Sequence, residues 1–143
     1  MNGSVVAKAE RMARMRAVLF LLVAVLLVVT AWLGFGQPGR EGRVAPWAVM
    51  VALNALNLSG LPARRPLLST RPVTALLEDE SARDHRRRAL AAGFWAAMAS
   101  ALLLALASPV SAVAGLDVAR LVVTAGLATA MAWFAGLELR AAA

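Results

Sequence analysis

The sequence predicts an all-α integral membrane protein, four transmembrane helices in an antiparallel bundle with both termini on the cytoplasmic side, and three observations predict it. The first is composition: 61% of the 143 residues are apolar, 16% are charged and the mean hydropathy is +0.71, whereas charged residues make up about a quarter of a soluble domain. The second is that charges leave four long apolar stretches, each close to the roughly 20 residues a helix needs to cross about 30 Å of hydrocarbon. The third is where the basic residues fall. Four lie in 1–16, seven in 62–88 and one at Arg140, against only Arg40, Arg43 and Arg120 on the other side. Such asymmetry orients a multi-pass protein with its basic connections in the cytoplasm. The net charge of +7 is therefore a statement about sidedness, and no direct contact with nucleic acid is expected.

Residues 1–16 form a basic cytoplasmic tail carrying Lys8, Arg11, Arg14 and Arg16. The first span, 17–36, is dense in leucine and valine. Its apolar run is longer than the h-region of a signal peptide, and Gly34-Phe35-Gly36-Gln37 is a poor cleavage site, so a retained helix is expected. A short periplasmic loop, 37–43, leads to the second span, 44–61, where Pro46 is tolerated in the first turn. Residues 62–88 make a cytoplasmic loop, and 89–108 the third span, ended by Pro109. A periplasmic turn, 109–115, precedes the fourth span, 116–137, and 138–143 is a second cytoplasmic tail. Trp32 and Trp47 near the outer ends, with Trp95 and Trp133 toward the inner ends, suit an aromatic belt at each interface.

Lipid is as apolar as leucine, so these helices need close approach at small residues to associate. Gly93 and Ala97 in the third span, and Gly126 and Ala130 in the fourth, provide that spacing. The pair is expected at the centre of the bundle, with the bulky first span facing lipid. Asn54 and Asn57 are the notable intramembrane polar residues, expected to share a helical face and to hydrogen bond between helices, with a ligand path as the alternative. Asp117 and Arg120 are expected to pair locally while Arg120 reaches toward the interface.

The cytoplasmic loop has two halves. Pro62, Pro66 and Pro72 with the intervening arginines favour an extended strap near anionic headgroups, whereas 74–88 is helix-competent. Thr74 can cap that helix; Glu78, Asp79 and Glu80 fall in its early turns, and Arg86, Arg87 and Arg88 fall late, an order that complements a helix dipole. Asp84 and Arg88 add an i,i+4 pair, and the helix runs directly toward Ala89.

The run Asp79-Glu80-Ser81-Ala82-Arg83-Asp84-His85-Arg86-Arg87-Arg88-Ala89, followed by Gly93-Phe94, resembles the juxtamembrane segment of a family of small four-helix bacterial and archaeal membrane proteins of uncharacterised function. Ser81 departs from the basic residue common there. The resemblance implies four spans and, as in some members, a small helix-turn-helix regulator as partner.

Enzyme chemistry is not expected. The chain has no cysteine and one histidine, His85, which reads as a solvated surface residue without a second imidazole or thiolate for a metal. No phosphate loop or catalytic triad is present in the sequence, and no cofactor is expected. The remaining expectation is a multi-pass interaction or regulatory protein of the bacterial inner membrane. Its candidate interaction residues are Glu78, Asp79, Glu80, Arg83, Arg86, Arg87 and Arg88, facing a cytoplasmic protein or anionic lipid, with self-association left open. The alternatives are a small transporter, although span one lacks any acid to exchange protons, and an accessory subunit of a larger complex.

Overall fold

The computed structural model describes residues 3–35, 44–59, 72–108 and 114–141, with side chains left out for 3–10, 12, 13 and 72–81. The expected loop 37–43, the proline-rich strap of 62–71 and most of the turn 109–115 lie outside the described residues, as do the side chains of Glu78, Asp79 and Glu80. Every described element is helical: α1 (Gly3–Leu33), α2 (Val44–Ser59), α3 (Pro72–Ala107) and α4 (Gly115–Ala141). Three of them, over Arg14–Leu33, Ala82–Ala107 and Gly115–Ala141, are long and apolar enough to cross a membrane. The 16 residues of α2 extend about 24 Å at 1.5 Å per residue.

Helix α3 is one continuous element. It begins at Pro72, two residues before the cap expected at Thr74, because proline has no amide donor to waste in a first turn and its φ is already helical. It ends before Pro109: the Ser108 amide and hydroxyl both donate to the Ala105 carbonyl, at 3.4 and 2.8 Å, and close the last turn. At the other end of α4, the helix runs on through Glu138 and Arg140, residues that the sequence assigns to a tail. The apolar–polar boundary marks where a span leaves hydrocarbon, while the helix stops only where its backbone loses partners.

Helix α4 is the hub. It packs extensively on α3 and α1 and also meets α2, and its buried residues recur from Arg120 and Thr124 through Ala130, Met131, Phe134 and Ala135 to Glu138. Against α3 the approach is at glycine. A Cβ built on Gly93 would lie 2.6 Å from the Gly126 carbonyl oxygen and 2.7 Å from the Ala130 Cβ, and one built on Gly126 would lie 2.9 Å from the Ala97 Cβ. Both are closer than side chains come, so the two backbones touch there only because Cβ atoms are missing.

Helix α1 does not simply face lipid. Leu19, Leu22, Val25 and Leu26 are exposed, but Ala17, Ala24, Leu27 and Ala31 are buried. The steps of seven, three and four residues between them keep all four on one helical stripe. The bulk of its many leucines suggests a lipid-facing helix, but alanines repeating every seven residues between them mark the buried stripe. Phe20 of α1 meets Phe134 of α4 with ring centroids 5.0 Å apart, and Ala24 joins Leu58, Ala89, Ala130, Met131 and Phe134 in the core cluster. Most other large apolar side chains of α1 and α3, among them Leu90, Phe94, Trp95, Leu102, Leu103 and Leu106, are exposed. Water would not tolerate such a surface; hydrocarbon would.

Candidate functional site

The polar side chains gather at the two ends of the bundle. At the first end, the carboxylate of Glu138 accepts a hydrogen bond from the Arg16 guanidinium, and His85 Nδ1 lies 3.4 Å from its other oxygen. Three helices therefore meet at one buried acid. The Glu138 side chain is 7% exposed, His85 19% and Arg16 46%, so the acid is held inside while the arginine reaches it from the rim. Arg16 also lies over the Phe134 ring, 5.8 Å from its centroid, a favourable placement for a guanidinium.

The expectation of a solvated His85 is thereby corrected. The histidine sits on the face of α3 that turns toward α4, and it forms an ion pair with Glu138 whenever the imidazole is protonated. Sequence reasoning missed Glu138 altogether, because an acid after the last apolar residue reads as tail. A signal was present: Glu138 continues the stripe that carries Met131, Phe134 and Ala135.

At the opposite end the Arg120 guanidinium donates to the Gly34 carbonyl and lies 3.6 Å from Asp117. The ion pair with Asp117 is the one the spacing predicts, but Arg120 does not reach out to an interface. Its side chain is 5% exposed and turns inward to satisfy a carbonyl at the end of α1, where the helix dipole is negative. A side chain on Gly34 would collide with it, since a Cβ there would stand 2.8 Å from the guanidinium. Beside it, the Trp47 indole of α2 donates to the Thr124 hydroxyl at 3.1 Å.

Arg16 and Gly34 are eighteen residues apart on α1, as are Glu138 and Arg120 on α4. At 1.5 Å per residue both intervals are about 27 Å, close to the roughly 30 Å of a hydrocarbon core. Two polar contacts thus fasten α1 to α4 at matched heights, one near each face of an apolar slab.

The two asparagines of α2 part company. Asn54 is fully buried and donates to the Met50 carbonyl at 2.7 Å in its own helix, while its Oδ1 has no partner; Asn57 is exposed. The expected shared face and bonding between helices are not what the structure shows, because a three-residue step turns a helix by about 300° and leaves Asn57 at the edge of the contact.

Of the candidate interaction residues with described side chains, Arg83, Arg87 and Arg88 are exposed and Arg86 is half-buried. Asp84 and Arg88 form the expected i,i+4 pair at 2.9 Å. Glu78, Asp79 and Glu80 lie on the same continuous helix. Gly93, Ala97, Gly126 and Ala130 come together at the α3–α4 contact. Among the described residues no group of three His, Asp or Glu side chains is placed to hold a metal ion. No protein-family model, curated protein or solved structure matches the chain.

Proposed function

We propose that the chain is a non-enzymatic interaction module of the bacterial inner membrane: four antiparallel transmembrane helices that hold a charged cytoplasmic helix where a protein partner can read it. The observation that carries this reading is the continuity of α3. Pro72–Ala107 is a single helix of 36 residues, of which Ala82–Ala107 is long and apolar enough to span. The ten residues before that span extend about 15 Å further, and carry the acids Glu78, Asp79 and Glu80. The arginines 83 and 86–88 stand at the membrane entry, where they also attract anionic headgroups. His85 turns toward Glu138 of α4, and Gly93 lies against Gly126 and Ala130, so the face that this helix presents to the bundle is defined. Acids followed by arginines along one continuous helix favour specific recognition over a loose electrostatic tether.

Two experiments test it. Reporters fused after Arg40 or Ala114 should report the periplasm, and fusions after Thr70 or Ala143 the cytoplasm, given the twelve-to-three distribution of basic residues; a periplasmic signal from Thr70 refutes the orientation. Changing Glu78, Asp79 and Glu80 to their amides should leave insertion intact, because acids contribute little to topology, and should abolish capture of a basic partner by the full chain in membranes. Changing Arg86, Arg87 and Arg88 to lysine should weaken capture if planar, bidentate contacts are used, and be silent if the three only anchor the helix. Normal capture by both triple variants refutes the module.

A second reading, a small transporter or an accessory subunit, has one observation in its favour, the buried Oδ1 of Asn54 without a partner. It predicts that Asn54→Leu stabilises the protein and removes activity, whereas the interaction module tolerates that change.

A further inference from the structure

One face of α4 is not covered by the bundle. Thr129, Ala132, Trp133, Gly136, Leu137 and Arg140 line a shallow open groove there, on successive turns of the helix. The floor is low because Ala132 and Gly136 are small, and a Cβ added to Gly136 would meet nothing within 4 Å. Trp133, about half exposed, forms a wall. Arg140 closes one end, in the last turn of α4.

The geometry points to a binding site for a single anionic phospholipid, one acyl chain lying over Ala132 and Gly136 and the phosphate held by Arg140. The inference rests on α4 crossing a membrane and on nothing else in the functional reading. Its first support is depth. From Arg140 to Thr129 is eleven residues, about 17 Å, which is close to half of a roughly 30 Å hydrocarbon core and so the depth of one leaflet. Beyond Thr129 the same face carries Ala125, Val122 and Val118, where valines replace the small residues. The low floor is thus confined to the depth that one acyl chain occupies.

The second support is charge. Arg140 is exposed and has no ion-pair partner among the described residues, because the neighbouring carboxylate, Glu138, is turned inward to Arg16 and His85. A phosphate completes it with charge-assisted hydrogen bonds. A second copy of the chain would not. Two-fold association about the membrane normal sets equivalent residues of α4 against each other, which brings one Arg140 toward the other with no acid between them. The indole of Trp133 suits the region where acyl chains meet the polar headgroups.

The test uses the full chain purified in mild detergent, exchanged into nanodiscs of phosphatidylglycerol and phosphatidylcholine at equal amounts, and re-extracted for native mass measurement. The wild type should retain one phosphatidylglycerol per chain in preference to phosphatidylcholine. Arg140→Gln should lower that retention by about tenfold, the loss of a charge-assisted bond, and Gly136→Leu should remove it by filling the groove, a substitution the open space above Gly136 accommodates. Arg11→Gln, which deletes an equal charge from the same end but outside the groove, should retain lipid as the wild type does. Equal loss in Arg11→Gln and Arg140→Gln would show a general surface potential and overturn the site. So would equal retention of both lipids, or a dimer mass that Gly136→Leu converts to monomer.

Discussion

Gly93→Leu should cost the protein more stability than any other single substitution at a helix contact, and even Gly93→Ala should be clearly destabilising. The Cβ would sit within 2.7 Å of two groups, the Gly126 carbonyl oxygen and the Ala130 Cβ, and neither is the end of a flexible side chain that can swing away. Overpacking by one or two carbons costs about 1–3 kcal/mol in a core that can relax; here α3 and α4 must separate, and hydrocarbon supplies no force to draw them together again. Gly126→Leu should behave alike. Gly115→Ala, where a Cβ meets nothing within 4 Å, is the matched control. Unfolding in mixed micelles with increasing dodecyl sulfate measures all four. Wild-type midpoints for Gly93→Leu and Gly126→Leu would mean that α3 and α4 do not meet at these glycines.

The second large effect concerns Arg16 and Glu138, and it runs against exposure. Arg16 is 46% exposed and Glu138 7%, yet Arg16→Ala should be the costlier change. Removing Glu138 frees an arginine that already reaches solvent, so about 1–2 kcal/mol is expected, discounted for screening at the rim. Removing Arg16 instead strands a buried carboxylate whose one other partner among the described residues is His85, and uncompensated buried charge costs about 3–5 kcal/mol. The double variant should lie close to Glu138→Ala alone, since no stranded acid remains in either. The same dodecyl sulfate titration reads the order. Additive losses would show that the two residues act independently.

Helices were legible in the sequence because apolar length and glycine spacing are local properties. The windows at 17–36, 44–61, 89–108 and 116–137 each fall largely on a helix of the structure, and Gly93, Ala97, Gly126 and Ala130 were readable as small residues on single faces. What was not legible depends on partners distant in the chain. Glu138 looks like tail until Arg16, 122 residues away, is known to reach it. Arg120 looks like a residue that reaches outward until the Gly34 carbonyl is placed beside it. His85 looks solvated until α3 is rotated onto α4. In each case one residue's surroundings are set by packing between elements, and no periodicity within one element reports them.

The central position of α4 also bears on the order in which the protein can be built. Of the four helices it leaves the ribosome last, yet it supplies the main contacts of α3 and of α1 and adds to those of α2. At about 5–20 residues per second, synthesis of α2 and α3 and the intervening chain occupies several seconds. Until α4 follows, Arg16 has no acid and Gly93, once made, no opposing glycine. The earlier helices must therefore persist with little packing beyond that of α1 on α2, each secured by its own backbone hydrogen bonds, and tertiary structure is gained chiefly in one late step when α4 arrives.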